Sequence, residues 1–160
     1  MLSRVCFFSL CLLFLSKASA IERQEFDKWC WAASVQDVVA QAGHYEPQSL
    51  VVARLTGWPQ NRPARIDEVV FLLRSYGLRA WQAGRPGNPQ ELYSALTSGW
   101  KLIAFVTPTN GPVGHYIVLQ GIDPAGNIIV SDPANGFTTP NTPAQLYYGW
   151  RWADSVVVGR

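Results

Sequence analysis

One property of this chain narrows its possible folds more than any other: the hydrophobic period changes at Trp100–Lys101. Before that point, apolar residues recur at helical spacing. Residues 30–42 carry Ala32, Ala33, Val35, Val38, Val39 and Ala42 on such a spacing and stop at Gly43, with Asp27 as a candidate N-cap. Residues 47–55 read as a short second helix ended by Gly57 and Pro59. Residues 66–76 read as a third, with Ile66, Val69, Val70 and Leu73 inward. A short strand at 79–82 follows, then a helix over 90–98 opened by Pro89 and closed by Gly99. Beyond Trp100 the pattern is that of strands: 101–107, 115–121 and 128–132, the last two joined by the Asp123-Pro124-Ala125-Gly126-Asn127 turn. A short strand at 137–140, a helical turn at 145–148 and a closing strand at 150–158 complete the chain. Helices first and antiparallel strands second predict an α+β fold, an N-terminal helical lobe packed on a C-terminal antiparallel sheet.

The first 20 residues stand apart from that fold. Arg4 supplies a positive start, residues 5–15 an apolar stretch too short to span a bilayer comfortably, and Ala18-Ser19-Ala20 an A-x-A cleavage site. The organisation expected is a signal peptide over 1–20 and one domain over 21–160. The protein is expected to be exported to a periplasm or secreted, without membrane attachment after cleavage. Cutting 20 residues from 160 leaves 140, enough for one domain with a real core. Of the 13 basic residues, Arg4 and Lys17 leave with the signal, so 11 balance 11 acidic ones. A near-neutral chain with no basic stripe argues against a nucleic-acid partner. All seven tryptophans stay in the mature part and are expected mostly in the core, with Trp58, Trp81 and Trp100 as core or interface.

Cysteine usage points to chemistry. Cys6 and Cys11 lie in the signal, so the mature chain holds Cys30 alone and no internal disulfide. In an oxidising compartment a lone thiol is buried as a small hydrophobe or used. Cys30 sits at the start of a predicted helix, where free N–H groups and the positive end of the dipole favour thiolate over thiol. Those N–H groups also suit an oxyanion. A base is nearly forced, because the mature chain has two histidines. His44 follows a helix stop and reads as a solvated or capping residue. His115 opens a strand after Gly111-Pro112-Val113-Gly114, where glycine leaves room for a substrate backbone. A histidine base works best when a third group orients it. The hairpin returns the chain beside His115 at residues 132–135, which offers Asp132, with Asn135 as the alternative after a one-residue change of register. Gln24, six residues before Cys30, is a candidate side-chain donor to the oxyanion. Of Trp29 and Trp31, which flank the cysteine, one is expected in the core and the other along the cleft. No metal-ligand spacing and no phosphate-binding glycine loop occurs, and no cofactor is expected.

The set Gln24-x5-Cys30-Trp31, followed by Gly114-His115-Tyr116 and Ser131-Asp132-Pro133, resembles the papain-like cysteine peptidases. It is most similar to their compact bacterial branch: the double-glycine leader peptidase domains that process bacteriocins, and the papain-like effector proteases of plant-pathogenic bacteria. The run Cys30-Trp31-Ala32-Ala33-Ser34 is especially like the latter. The resemblance implies a papain-like fold with the site between helical lobe and sheet. It implies Cys30 as nucleophile, His115 as proton shuttle, Asp132 as orienting acid, and Gln24 with the Cys30 N–H as oxyanion donors. Asp132 stands where papain itself has Asn, which marks the compact branch. With cleavage after Ala20, Gln24 is the fourth mature residue, and no inhibitory propeptide is expected. The activity implied is hydrolysis of a peptide or protein substrate through a Cys30 thioester. The same triad also serves acyl or amide transfer and cell-wall peptide hydrolysis, and a dormant binding module is the non-enzymatic alternative. The oligomeric state is open.

Overall fold

A computed structural model describes residues 20–108 and 114–159. The apolar stretch at 5–15 and residues 111–113 ahead of the histidine lie outside the described residues. Among the described residues, four helices, α1 (Cys30–Gln41), α2 (Gln48–Thr56), α3 (Ile66–Ser75) and α4 (Pro89–Thr97), accompany six strands. The strands are β1 (Arg79–Gln82), β2 (Lys101–Val106), β3 (His115–Ile122), β4 (Ile128–Asp132), β5 (Phe137–Asn141) and β6 (Trp152–Gly159), with one turn of π-helix at Gln145–Gly149. They form one antiparallel sheet in the order β1-β6-β2-β3-β4-β5.

The helical half and the sheet half pack as the change of period predicts, with one refinement. Helices α1–α3 bury Val35, Val38, Val39, Val69, Val70, Leu72 and Leu73 against Ile103, Tyr116, Val118, Val156 and Val158. The alternate residues of the same strands, Leu102, Ala104, Val106, Ile117, Leu119 and Val157, face the other way. There Leu92 and Leu96 of α4, Leu146 of the π-turn and Trp152 cover them. The sheet is therefore sandwiched. That explains why β2 and β3 read as unbroken apolar runs rather than alternating ones: both faces are dry. Strand β1, although set among the helices in sequence, joins the sheet edge through β6.

Helix α1 is the central element. Every residue from Cys30 to Val39 is buried, including Ser34, Gln36 and Asp37, so it is not the one-sided helix its apolar spacing suggests. Its N-cap also differs from expectation. Trp29, not Asp27, occupies that position, and no side chain caps the first turn. The Asp27 carboxylate instead accepts from Asn61 Nδ2 at 2.6 Å, across to the loop before α3. An uncapped first turn leaves N–H groups beside Cys30 without intrahelical partners.

The hairpin joining β3 and β4 brings the acid to the histidine. Asp123 accepts from the N–H groups of Ala125 (2.9 Å) and Asn127 (2.8 Å), and Gly126 takes φ 85°. This closes the turn with the side-chain bonding that favours Asp in tight turns. The β3–β4 register shifts between Leu119 and Gly121. At that irregularity Gln120 donates to Asp37 of α1 at 2.5 Å and to Ser131 of β4 at 3.3 Å. A buried polar tie thus links the helix that carries Cys30 to the strands that carry His115 and Asp132.

Candidate active site

Cys30 is the first residue of α1 and 8% exposed. His115 opens β3 and is buried. Its Nε2 lies 2.7 Å from Asp132 Oδ1 at the end of β4. With Nε2 so engaged, Nδ1 is the ring nitrogen left for the Cys30 thiol, which shares the cleft with the imidazole and contributes to raising its pKa. Three residues 17 to 102 positions apart thus form one line, thiol to imidazole to carboxylate. Burial works against the charged imidazole, but hydrogen bonds and charge from Asp132 and Cys30 outweigh it, and the His115 pKa is pushed up to about 9. The ring is held as imidazolium at neutral pH. In that state it has a proton to give.

Of the two side chains weighed beside His115, Asp132 is the one within hydrogen-bond distance of the imidazole. Asn135 stands behind it: its Nδ2 donates to the second carboxylate oxygen, Asp132 Oδ2, at 3.2 Å. Asp132 Oδ1 also accepts from the Ala134 N–H at 2.9 Å. Trp150, just before β6, stacks on the imidazole with centroids 6.5 Å apart and planes 17° apart. Sequence reasoning missed Trp150, since a lone Trp at a strand start carries no signal of its partner.

Gln24 lies in the segment leading to Cys30, tied by its N–H to the Pro133 carbonyl at 2.8 Å. Its Nε2 donates to the carbonyls of Phe26 (2.8 Å) and Asp27 (2.9 Å), while its Oε1 is buried without a partner. The structure thus brings Cys30, His115 and Asp132 together. It places Gln24 on the adjoining loop with both amide hydrogens engaged. His44 is exposed beyond the end of α1, beside the Tyr76 ring at 5.5 Å, in keeping with its bland reading.

A cleft of about 390 Å³ opens at the thiol, lined by Cys30, Trp31, Pro63, Ala64, Phe105 and Tyr116 among others. Pro63 and Ala64 form one wall of it, and residues of the site pin the segment 60–64 that carries them. Trp29 Nε1 donates to the Gln60 carbonyl (2.8 Å), Trp31 Nε1 to Arg62 (2.9 Å), and the Tyr116 hydroxyl to Ala64 (3.0 Å). Both tryptophans beside Cys30 are therefore buried, where one was expected along the cleft as the other filled the core. Trp31 does both. Arg62 is held in turn by a two-point pair with Glu68 of α3 at 2.8 and 3.1 Å. Trp58, expected in a core or interface, is 66% exposed.

Gly114 lines the cleft beside His115, and on the side where a Cβ would stand it meets the Phe105 ring at 2.9 Å. Its φ of 77° lies in the left-handed region that favours glycine, so both backbone and packing demand it there.

A buried thiol–imidazolium–carboxylate line at a helix N-terminus, facing a cleft between helices and antiparallel sheet, defines a papain-type cysteine peptidase. The family model of the papain-like cysteine protease AvrRpt2 matches residues 16–146, and the chain belongs to that family. No curated protein matches it. Among solved structures, the peptidase domain of Streptococcus ComA, a bifunctional ABC transporter of a quorum-sensing pathway, superposes with TM-score 0.66 at 13% identity over 86% of this chain and 96% of that one. A C39-like peptidase from Bacillus anthracis gives 0.66 at 14% over 91% and 96%. A double-glycine motif protease from an AMS/PCAT transporter, solved with its leader peptide, gives 0.64 at 19% over 89% and 94%. At such identities the likeness is one of fold. Membership in the family makes the protein a cysteine peptidase.

Proposed function

We propose that the protein is an exported cysteine peptidase that hydrolyses peptide bonds through a thioester on Cys30. The observation that carries this reading is the His115 imidazole placed between the Cys30 thiol and the Asp132 carboxylate, 2.7 Å from the latter. The Cys30 thiolate attacks the scissile carbonyl carbon. The oxygen becomes an oxyanion received by the free Cys30 N–H and by Gln24 Nε2, which gives up one of its two loop carbonyls to do so. The His115 imidazolium protonates the departing amine, the C–N bond breaks, and the acyl group stays on sulfur. Neutral His115 then takes a proton from water as its oxygen attacks the thioester, and the acid leaves as Cys30 regains its thiolate. Asp132 holds the imidazole in orientation throughout. A peptide substrate is in keeping with the leader peptide held by the transporter protease of the same fold.

The test is product mass on a mixed peptide library with an amine acceptor present. Hydrolysed fragments are expected from the native protein, and none from Cys30→Ala or His115→Ala at unchanged melting temperature. Full activity in either variant sinks the reading, and amide products in place of acids would reassign it to acyl transfer. Gln24→Ala is expected to lower kcat by about 10²–10³-fold if its amide reaches the oxyanion. Export rests on the charged start, apolar stretch and A-x-A site of residues 1–20. The N-terminal sequence of protein recovered outside the cytoplasm is expected to begin at Ile21. Full-length chain found only in the cytoplasm overturns export alone.

A further inference from the structure

The Asp132 carboxylate has two oxygens, and the proposed chemistry uses one. Oδ1 takes His115 Nε2 at 2.7 Å and the Ala134 N–H at 2.9 Å. Oδ2 takes a side chain, Asn135 Nδ2, at 3.2 Å. Asn135 is fixed at its other end, since its Oδ1 accepts from the Phe137 N–H at 2.8 Å as β5 begins. The amide therefore spans the turn from the start of one strand to the acid at the end of the other.

The turn itself is closed by the Gly136 N–H on the Asp132 carbonyl at 2.9 Å, with Gly136 at φ 76°. It is also bolted from outside. Gln24 N–H donates to Pro133 at 2.8 Å, and Arg23 Nε to Ala134 at 3.2 Å. A Cβ on Gly136 would lie 3.5 Å from the Ile21 carbonyl and from Arg23. The turn has little room to move as a body. Rotation of the Asp132 carboxylate about its Cβ–Cγ bond is restrained at Oδ1 by His115 and the Ala134 N–H, and the bond from Asn135 to Oδ2 holds its other end.

We infer that Asn135 is a positioning residue of the peptidase, holding Asp132 by its outer oxygen so that the inner one stays on His115. The inference rests on the reading of Cys30, His115 and Asp132 as the catalytic line. It accounts for why an amide is used there and not a second carboxylate: a donor is needed, and an ionised acid only accepts. The titratable group in contact with the acid is His115 from β3, and Arg23 of the N-terminal segment bonds the same turn at the Ala134 carbonyl.

Four proteins compared side by side test it: native, Asn135→Ser, Asn135→Ala and Asn135→Asp, each with kcat, KM and a full pH profile, and each checked for melting temperature. Ala removes the donor and is expected to lower kcat about tenfold at unchanged KM, with the alkaline limb of activity moved to lower pH. Ser keeps a donor and is expected to recover part of both. Asp sets a second carboxylate against the first. Two such groups cannot both ionise at that distance, so a new acid-side limb is expected that native protein lacks. A merely structural asparagine would change melting temperature and leave the limbs in place. Native kcat and limbs in both the Ala and Asp variants overturn the inference. Cys30→Ala in the same assay separates the two failures: if it is inactive while the Asn135 variants are native-like, only the role of Asn135 falls, and if it is active the underlying reading falls.

Discussion

His115 shows how little of a side chain's chemistry belongs to its own identity. An ordinary imidazole loses its charge near pH 6.5, and burial alone would lower that further. Here Asp132 and Cys30 reverse the sign and raise it to about 9. Because the folded value lies above the unfolded one, the fold favours charged His115. That stabilising contribution is complete below about pH 6.5 and disappears as pH rises through about 9. The same deprotonation removes the proton owed to the leaving amine. Peptidase activity is therefore expected to fall above pH about 9. In Asp132→Ala the limb is expected to move down toward the ordinary range near 6.5, with kcat lowered by about 10²–10⁴-fold. The pH dependence of kcat/KM, with iodoacetamide alkylation of Cys30 as an independent probe, measures both. An unmoved limb in Asp132→Ala would show that the carboxylate does not tune the base.

Among the elements, the pairing of α1 with the 60–64 wall carries the most function. Trp29 and Trp31 begin and enter the same helix as Cys30, yet their indole N–H groups reach Gln60 and Arg62, while Tyr116, next to His115, reaches Ala64. Cys30, His115 and the cleft wall are thus linked by hydrogen bonds of their immediate neighbours. Burial keeps the Tyr116 hydroxyl protonated, its pKa raised well above the usual tyrosine range, so it stays a donor at any working pH. Tyr116→Phe leaves the buried Ala64 carbonyl without that partner. It is expected to cost about 1–3 kcal/mol in urea unfolding. It should also raise KM as the wall loosens, while the alkaline limb stays where it was. Unchanged stability and KM would mean that the wall is held by the tryptophans alone.

For the molecule as a whole, the sheet is the shared element. Helices α1–α3 bury one of its faces, and α4 with the π-turn buries the other, so neither cluster exists without β2, β3 and β6 between them. The Asp37–Gln120–Ser131 tie crosses the same boundary. Helix signal by far-ultraviolet circular dichroism and tryptophan fluorescence are therefore expected to report one coincident denaturant transition. Separate midpoints would mean that the helical lobe folds on its own.

Local patterns carried most of the outline. Helical spacing around Val35 and Val38, the glycine stops, Pro89 at a helix start and the Asp123–Asn127 turn depend on interactions within a few residues, and each element lies within a residue or two of where it reads. Cys30 and His115 were legible for a different reason. Residues 21–160 hold one cysteine and two histidines, and the proposed chemistry needs one of each. Contacts between distant segments were not legible. Which of Asp132 and Asn135 faces the imidazole turned on strand register and on a turn packed against Arg23 and Gln24. Asp27 lies two residues short of the cap position, and its carboxylate is bonded instead to Asn61, 34 residues on. Trp150 met His115, and Phe105 closed over Gly114, through packing that no spacing in the chain encodes. Short-range order follows from backbone sterics and hydrogen bonds that each stretch carries with it. Pairings across the fold arise when the whole core closes, because the partner of a buried polar group is whichever group the packing leaves within reach.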